Sequence, residues 1–302
     1  MTWQLLWRSA HVIERALGLR AARRTARMAG ALEGLTDAGV HRIALRISPR
    51  VAADNPWLVK VSPEWASQSI FVRRQGLRLE LDLRDNLQAV LYYAGRYEPA
   101  VRRFLLTELR QGDVVLDVGA NIGLHALTAA KRLQELGGGR VIAFEPATDC
   151  LAKLQAAAAR NNLQIDVVPT ALGERQHHAA LRADSRYDEA DAGVRSLYGD
   201  GAVVQEVPVI RLDDWAGEHA LQRLDVVKLD IEGSEVSALS GAAHTLTRLQ
   251  PRALLVEDKR AETSARLHAA LDELGYQPTG EVMDHNALFR PEQLLRASTG
   301  RR

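Results

Sequence analysis

Cysteine is almost absent from this chain of 302 residues, which contains only Cys150. A framework of disulfides within the chain and a zinc site built from several cysteines are therefore excluded. No apolar run approaches the roughly 20 residues that a helix needs to cross a bilayer. The remaining composition, with 46% hydrophobic and 25% charged residues, is typical of a globular protein with a sizeable core. We expect it to be cytoplasmic.

The chain also lacks a strong charge of either sign, because its formal net charge is +1. Positive charge is concentrated at the two ends, in residues 1–27 and 290–302, so the body between them is acidic. An acidic body argues against nucleic acid as a partner. Apolar residues around Trp3 and Trp7 recur near helical spacing. This helix either contacts a membrane surface peripherally, through residues 1–27, or packs on its own domain.

Strands and helices alternate along most of the chain. Apolar runs such as Val114–Val118 and Asp225–Asp230 are each followed by a helical pattern, the second of them over Ser234–Arg248. This alternation predicts an α/β fold with a doubly wound, mostly parallel sheet. A further strand over Gln205–Ile210 is expected to pair across a loop with Ala179–Arg182.

The domain boundaries are predicted from where this alternation begins and ends. Residues 86–289 form the main domain, and residues 290–302 form a basic C-terminal tail. Residues 1–85 form a small N-terminal α+β extension, which serves as a cap or as a contact in a homodimer. Residues 184–201 form a polar loop, either a lid or a surface loop. Four of its side chains are candidates for acceptor contacts: Arg186, Tyr187, Arg195 and Tyr198.

Four predicted strands end in an acidic residue. These residues are Asp117, Glu145, Asp230 and Glu257. Because the carboxyl ends of parallel strands meet at one edge of the sheet, the four carboxylates are expected at the same edge. Ligands bind at that edge in open α/β sheets. The recurrence of acids therefore predicts a functional site there.

A glycine-containing turn, Asp117-Val-Gly-Ala-Asn-Ile-Gly123, connects the first of these strands to the next helix. Gly119 and Gly123 allow the backbone to approach a ligand closely, and the helix that follows offers free N–H groups. The turn matches neither the dinucleotide pattern G-x-G-x-x-G nor a Walker loop. Glu145, which is 28 positions after Asp117, suits the two hydroxyls of a ribose. Alone, the turn is also compatible with a connection that has no function.

Five motifs share their order and spacing with one known family. They are Tyr97-Glu98-Pro99, Gly112–Gly123, Phe144-Glu145-Pro146, Leu212–Trp215 and Lys228–Glu235. In these motifs the chain resembles the FkbM family of S-adenosylmethionine-dependent methyltransferases, over about residues 82–257. The resemblance implies a Rossmann-like fold of the class I methyltransferase type. It also implies S-adenosylmethionine as cofactor and hydroxyl groups of sugars, glycolipids or polyketide-type metabolites as acceptors.

The same resemblance implies which residues bind the cofactor. They are Asp117, Gly119, Asn121, Gly123, Glu145, Ala171 and Glu98. The glycine turn would wrap the methionine part of the cofactor, with Asp117 at its base, and Glu145 would hold the ribose hydroxyls. Ala171 would line the adenine, unless it is simply a core residue.

Methyl transfer to a hydroxyl requires alignment of the acceptor and removal of its proton. Asp230 and Glu232 follow the strand beside which methyl group and acceptor would meet, so they are the first catalytic candidates. His125, in the first helical turn after the glycine turn, is a third candidate base, with a packing role as the alternative. If Mg²⁺ is bound, Asp230, Glu232 and Glu257 would supply its oxygen ligands.

The sequence thus predicts an O-methyltransferase that acts on a hydroxyl of a sugar, glycolipid or secondary-metabolite acceptor, a small molecule. Three alternatives stay open. The first is methylation of nitrogen or of a carboxyl group on a small molecule, because the cofactor motifs do not specify the acceptor atom. The others are an RNA methyltransferase, which the acidic body disfavours, and a non-catalytic cofactor-binding module, which the complete set of acids disfavours.

Overall fold

The structure is a computed structural model that describes residues 69–82, 84–184, 192, 195–259 and 261–299. The predicted N-terminal helix, and with it the membrane contact of residues 1–27, lies outside the described residues. The same holds for residues 300–302 of the tail and 185–191 of the polar loop. Within the described part of the chain, no helix combines the length and the apolar character needed to span a membrane.

The described residues form twelve strands and nine helices, numbered here in chain order. The strands are β1 Ile70–Arg74, β2 Leu77–Leu81, β3 Val114–Val118, β4 Arg140–Phe144, β5 Asp166–Val168, β6 Ala171–Leu172, β7 His177–Arg182, β8 Val203–Ile210, β9 Val226–Leu229, β10 Ala253–Glu257, β11 Tyr276–Met283 and β12 Asn286–Pro291. The helices are α1 Asn86–Ala94, α2 Pro99–Glu108, α3 Leu124–Glu135, α4 Thr148–Asn161, α5 Leu212–Glu218, α6 Glu235–Ser240, α7 Ala243–Leu249, α8 Ala261–Glu273 and α9 Glu292–Thr299.

A seven-stranded sheet with the order β11-β12-β10-β9-β3-β4-β5 forms the centre of the fold. The five strands from β10 to β5 are parallel, and β12 pairs antiparallel with both β10 and β11. Every residue of β9 and β10 is buried, which explains why these strands are nearly continuous apolar runs. The predicted Rossmann-like, mostly parallel α/β fold is confirmed.

A smaller sheet with the order β6-β8-β7 follows β5 in the chain. Its strands β7 and β8 are antiparallel, with Ala179 opposite Val207 and Leu181 opposite Gln205, so the predicted pairing of these segments is confirmed. The inner face of this sheet shares a small core with Cys150 of α4. The single cysteine is therefore a buried packing residue.

The helix predicted over Ser234–Arg248 is wrong as a single helix, because the structure contains α6 and α7 instead. A Cβ atom added at Gly241, between them, would overlap the carbonyl oxygen of Gly173. The carboxylate of Asp213 accepts a hydrogen bond from the N–H of Thr245 at 2.8 Å. This side chain thus accepts a hydrogen bond from a backbone N–H group in the first turn of α7, which has no partner within the helix, and so stabilises the break between the two helices.

The described residues belong to two compact units. Residues 69–75 and 81–97 belong to the first unit, and residues 76–80 with those from Glu98 onward belong to the second. In the first unit, the Asp85 carboxylate caps α1 by accepting a hydrogen bond from the N–H of Gln88 at 2.9 Å. The second unit contains the seven-stranded sheet and every residue of the site described below.

A buried ion pair holds the amino ends of β3 and β10 together, at the sheet edge opposite the predicted site. Asp113 precedes β3 and its side chain is 0% exposed. Arg252 precedes β10 and donates hydrogen bonds to both carboxylate oxygens of Asp113, at 3.1 and 2.5 Å. The same guanidinium contacts Glu108 at 3.0 Å. The two strands that flank β9 are thereby connected at their amino ends, which helps to fix their other ends where the acids lie.

Candidate active site

The glycine turn lies between β3 and α3 and is bound to the end of the neighbouring strand β4. The N–H groups of Gly119 and Ala120 both donate hydrogen bonds to the carbonyl of Phe144, at 3.0 and 3.1 Å. Gly119 has a φ of +80°, and a Cβ atom added there would overlap the carbonyl oxygen of Asp230. The glycine is therefore required both by its backbone angle and by its contact with the end of β9.

Glu145, directly after β4, also holds the turn. One carboxylate oxygen accepts a hydrogen bond from the N–H of Asn121 at 2.7 Å, and the other accepts one from Ala147 at 2.8 Å. Burial raises the pKa of Glu145 to about 7, although these two backbone donors oppose the shift. Each carboxylate oxygen retains a lone pair for a further donor, so Glu145 can anchor the turn and bind a ligand simultaneously.

A pocket with an empty volume of about 610 Å³ opens beside the glycine turn. Six of the predicted site residues line it: Gly119, Asn121, Glu145, Ala171, Asp230 and Glu232. The hydroxyl oxygens of Thr170 and Ser234, which also line it, are buried and have no hydrogen-bond partner among the described residues. Buried hydroxyls are rarely left unsatisfied, so the pocket fits a ligand rich in polar groups.

Next to the pocket lies a set of largely buried ionisable residues, here called the buried cluster, of which only Asp230 also lines the pocket: Glu98, Asp117, His125, Lys228 and Asp230. Asp117 of β3 lies opposite Lys228 of β9 in the sheet. The Lys228 ammonium donates a hydrogen bond to Asp230 at 2.9 Å, and its side chain is only 4% exposed. Side chains two apart on a strand share a face, which brings Lys228 and Asp230 together.

The carboxylates of the buried cluster have opposite pKa shifts. Burial raises the pKa of Asp117, and this effect exceeds the attraction of Lys228. Burial would also raise the pKa of Asp230, but Lys228 and Lys259 outweigh it and lower the pKa to about 2. For Lys228, burial is outweighed by Asp230, Asp117 and Glu98, and its pKa is raised. Asp230 is therefore a permanent carboxylate and Lys228 a permanent ammonium.

Glu98 and His125 bind each other in the structure, with 2.7 Å between Glu98 Oε2 and His125 Nε2. Glu98 precedes α2 with a φ of +41°, and His125 lies in the first turn of α3. Both side chains are about nine-tenths buried, at 9% and 11% exposure. Neither residue lines the pocket. Their predicted roles in cofactor binding and catalysis stay predictions.

Asp230 and Glu232, which line the pocket, meet Glu257, and carboxylate oxygens of the three residues lie within 4.8 Å of one another. Together with Lys259 they form what is here called the rim cluster. The ammonium of Lys259 contacts Glu257 and lies 3.2 Å from Glu232. The sequence prediction that these three acids come together is thus met by the geometry, and the oxygen donors suit Mg²⁺. Lys259, however, lies where such an ion would bind.

Burial dominates the pKa values of the two glutamates of the rim cluster. It raises the pKa of Glu232, with Asp230 adding to the shift and Lys259 opposing it. It raises the pKa of Glu257 to about 9, and the negative charges of Asp230 and Glu232 reinforce the effect. Glu232 is therefore a stronger base than Asp230, although the two are only two residues apart.

Two of the residues predicted to bind the cofactor, Gly123 and Ala171, also have packing contacts that account for their small size without a ligand. Gly123 has a φ of +85°, and a Cβ atom there would lie 2.6 Å from Leu154. Ala171 is 9% exposed and belongs to the core of the smaller sheet, although it also lines the pocket. Glu235, the last residue of the motif Lys228–Glu235, has a structural role as well. Its carboxylate accepts hydrogen bonds from the N–H groups of Ile231 and Gly233, at 3.0 and 3.2 Å.

Sequence reasoning did not single out Thr170, Ser234, Lys228 or Lys259. The alternation of Lys228 and Asp230 along one strand was the available signal for Lys228.

From the polar loop, Arg195 lines the pocket, and its guanidinium donates to both carboxylate oxygens of Asp149, each at 2.9 Å. Tyr198 is 67% exposed and does not line the pocket, while Arg186 and Tyr187 lie outside the described residues.

Comparison with known proteins places this site in a family. Residues 117–278, just over half of the chain, match the model of the methyltransferase FkbM domain. The 31-O-demethyl-FK506 methyltransferase FkbM of Streptomyces tacrolimicus is 31% identical over 162 residues, 44% of this chain and 61% of that relative. The hexuronic acid methyltransferase AglP of Haloferax volcanii is 28% identical over 151 residues, 50% of this chain and 59% of that relative. The chain thus spans less than two thirds of either relative.

A solved structure, that of methyltransferase FkbM from Methylobacillus flagellatus, has 17% identity to this chain and a TM-score of 0.43. It covers 91% of this chain, and the chain covers 60% of it. The match to the family model includes the glycine turn, β4, the rim acids and Lys259. This chain therefore belongs to the FkbM methyltransferase family.

Proposed function

We propose that this enzyme transfers the methyl group of S-adenosylmethionine to a hydroxyl oxygen of a sugar or secondary-metabolite acceptor. One observation carries the proposal. Asp230 and Glu232 lie together at the rim of the pocket, and the pKa of one is lowered while that of the other is raised. A hydroxyl acceptor needs a base, and Glu232 has the properties of one. The name of one relative, a 31-O-demethyl-FK506 methyltransferase, supports an oxygen acceptor, and that of the other, a hexuronic acid methyltransferase, supports a sugar-derived acceptor.

The pocket offers groups for each part of the cofactor. The glycine turn would enclose the methionine portion, and the free lone pairs of Glu145 would accept hydrogen bonds from the ribose hydroxyls. The unpartnered hydroxyl of Thr170, beside Ala171, would meet the adenine. When bound, S-adenosylmethionine supplies an activated methyl group, whose bond to sulfur breaks as the acceptor oxygen bonds to the carbon.

The two rim carboxylates divide the remaining work between them. As the new bond forms, the acceptor hydroxyl loses its proton, and Glu232 takes it because its pKa is raised. Asp230 remains ionised through its contact with Lys228 and accepts a hydrogen bond from a second, neighbouring hydroxyl of the acceptor, which helps to hold the reacting oxygen in line with the methyl group. The reacting sulfonium has one positive charge, and both products, an ether and a sulfide, are neutral at the reacting atoms. Transfer of one proton to Glu232 therefore balances the charge.

Magnesium is the second candidate for activating the acceptor. Asp230, Glu232 and Glu257 would be its ligands, and a bound ion would lower the pKa of the hydroxyl instead of leaving the proton to a base. The ion competes with Lys259 for the same oxygens, so chelation separates the two mechanisms.

The experiment is a two-stage assay on the full chain. Calorimetry first measures the binding of S-adenosylmethionine and S-adenosylhomocysteine, with NAD as the control ligand. Hydroxyl, amine and carboxylate acceptors are then scanned with methyl-labelled cofactor, and total RNA is included. Transfer restricted to hydroxyl compounds supports the proposal. Transfer to an amine, a carboxylate or RNA would replace it, and tight cofactor binding without any transfer would favour a non-catalytic module.

A further inference from the structure

Lys259 occupies the centre of the rim cluster. It follows β10 by two residues, and its ammonium contacts Glu257 directly and Glu232 at 3.2 Å. Its charge also acts on Asp230, for which it is the second largest attraction after Lys228. One ammonium thus contacts two of the carboxylates directly and attracts the third through its charge.

The cluster requires a cation for electrostatic reasons. The three carboxylates have oxygens within 4.8 Å of one another, and the Glu257 side chain is only 5% exposed. Three ionised carboxylates at this distance in a largely buried site would repel strongly, and the ammonium of Lys259 together with the raised pKa of Glu257 relieves that repulsion. Lys228 balances the charge of Asp230, to which it donates a hydrogen bond, whereas the cation in contact with Glu232 and Glu257 is Lys259.

We propose that Lys259 is the resident cation of the rim cluster, takes the place of a divalent metal there, and positions Glu232 for proton removal. The ammonium holds Glu232 through Oε1, which leaves Oε2 to face the acceptor. A metal ion and Lys259 cannot both bind these oxygens, so methyl transfer would proceed without a divalent ion. The catalytic part of this inference rests on the proposed function, whereas the exclusion of metal from the cluster does not.

The test measures metal binding directly, without an acceptor. Free Mn²⁺ is monitored by electron paramagnetic resonance while wild type, Lys259→Met, Lys259→Arg and the control Lys131→Met are titrated. Lys131 lies on α3 and donates to the carbonyl of Gly76, away from the rim cluster. We expect no saturable Mn²⁺ site in wild type, Lys259→Arg or Lys131→Met. In Lys259→Met we expect a single Mn²⁺ site that binds at least about tenfold more tightly than any weak Mn²⁺ binding of the other three proteins. The reason is that metal affinity rises with the negative charge of the ligands, which the ammonium of Lys259 no longer neutralises.

Two results would overturn the inference. One is a stoichiometric Mn²⁺ site in wild type that Glu257→Gln abolishes, and this arm is decisive even if Lys259→Met fails to fold. The other is a Lys259→Met protein that binds S-adenosylhomocysteine normally but gains no metal site. Failure of the proposed function would appear as absent transfer, or as transfer to another kind of acceptor, in the acceptor scan, and it would leave the Mn²⁺ titration unchanged.

Discussion

Glu145 provides a quantitative test of how the pocket binds its cofactor. Its two carboxylate oxygens already accept hydrogen bonds from Asn121 and Ala147, so only the remaining lone pairs serve the ribose hydroxyls. Hydrogen bonds to a charged group are worth about 1.5–3 kcal/mol. Glu145→Gln, which keeps the shape but removes the charge, should therefore weaken S-adenosylhomocysteine binding by about 10- to 150-fold.

The raised pKa adds a pH dependence with a defined sign. With a pKa of about 7, Glu145 is about 10% ionised at pH 6 and about 90% ionised at pH 8. Since ribose hydroxyls donate to the carboxylate, binding favours the ionised form. The affinity of wild type should thus rise up to about ninefold between these pH values, and the rise should be absent from Glu145→Gln.

Isothermal titration calorimetry with S-adenosylhomocysteine at pH 6, 7 and 8 measures both effects. The matched control is Glu135→Gln, a glutamate on α3 whose side chain is 51% exposed and which does not line the pocket. It should bind like wild type at every pH. An equal affinity of wild type at pH 6 and pH 8, or a Glu145→Gln affinity within twofold of wild type, would refute this account of Glu145.

Three further predictions concern catalysis and stability. In single-turnover methyl transfer, Glu232→Gln should lower the rate by about 10²–10⁴ and remove the fall in rate at acidic pH. Asp230→Asn should also lower the rate but keep that fall. Identical pH profiles of the two variants would contradict the division of roles between the two carboxylates. Arg252→Ala leaves Asp113 buried with Arg223, at 3.2 Å, as its remaining cation, so urea unfolding should show a loss of about 1.5–3 kcal/mol, and a loss below about 0.5 kcal/mol would show that the pair is dispensable. Gly119→Ala should cost about 2–4 kcal/mol from its positive φ and the overlap with a carbonyl, and an unchanged melting temperature would falsify that reasoning.

The sequence allowed the core of the fold to be predicted because its strands are short apolar runs with clear ends. The bounds predicted for β3, Val114–Val118, agree with the structure, and the predicted strand Asp225–Asp230 contains β9, Val226–Leu229. The strand β6, with two residues, is too short to show any periodicity. The break between α6 and α7 also escaped prediction, because it depends on Asp213, which lies about 30 positions earlier in the chain.

The site was predictable where a residue's position follows from the end of a strand, as for Glu145, Asp230 and Glu257. The contact of Glu98 with His125 was not predictable in this way, because it depends on how α2 packs against α3. Lys259 is two positions after Glu257 in the sequence, yet the chain leaves the strand there. Side chains alternate between the two faces of a sheet only within a strand. The direction of the Lys259 side chain is therefore not predictable in this way, whereas that of Lys228, which lies within β9, is.

The pairing of β3 with β9 has a consequence for synthesis of the protein. Asp117 and Lys228 lie opposite each other in the sheet but 111 positions apart in the chain. At about 5–20 residues per second, the ribosome needs roughly 6–22 s to make the intervening segment. During that time β3 has an unpaired edge and Asp117 lacks its nearest strand partner, a state that favours chaperone binding or aggregation. The yield of active enzyme in the cell should therefore depend on chaperone supply during translation.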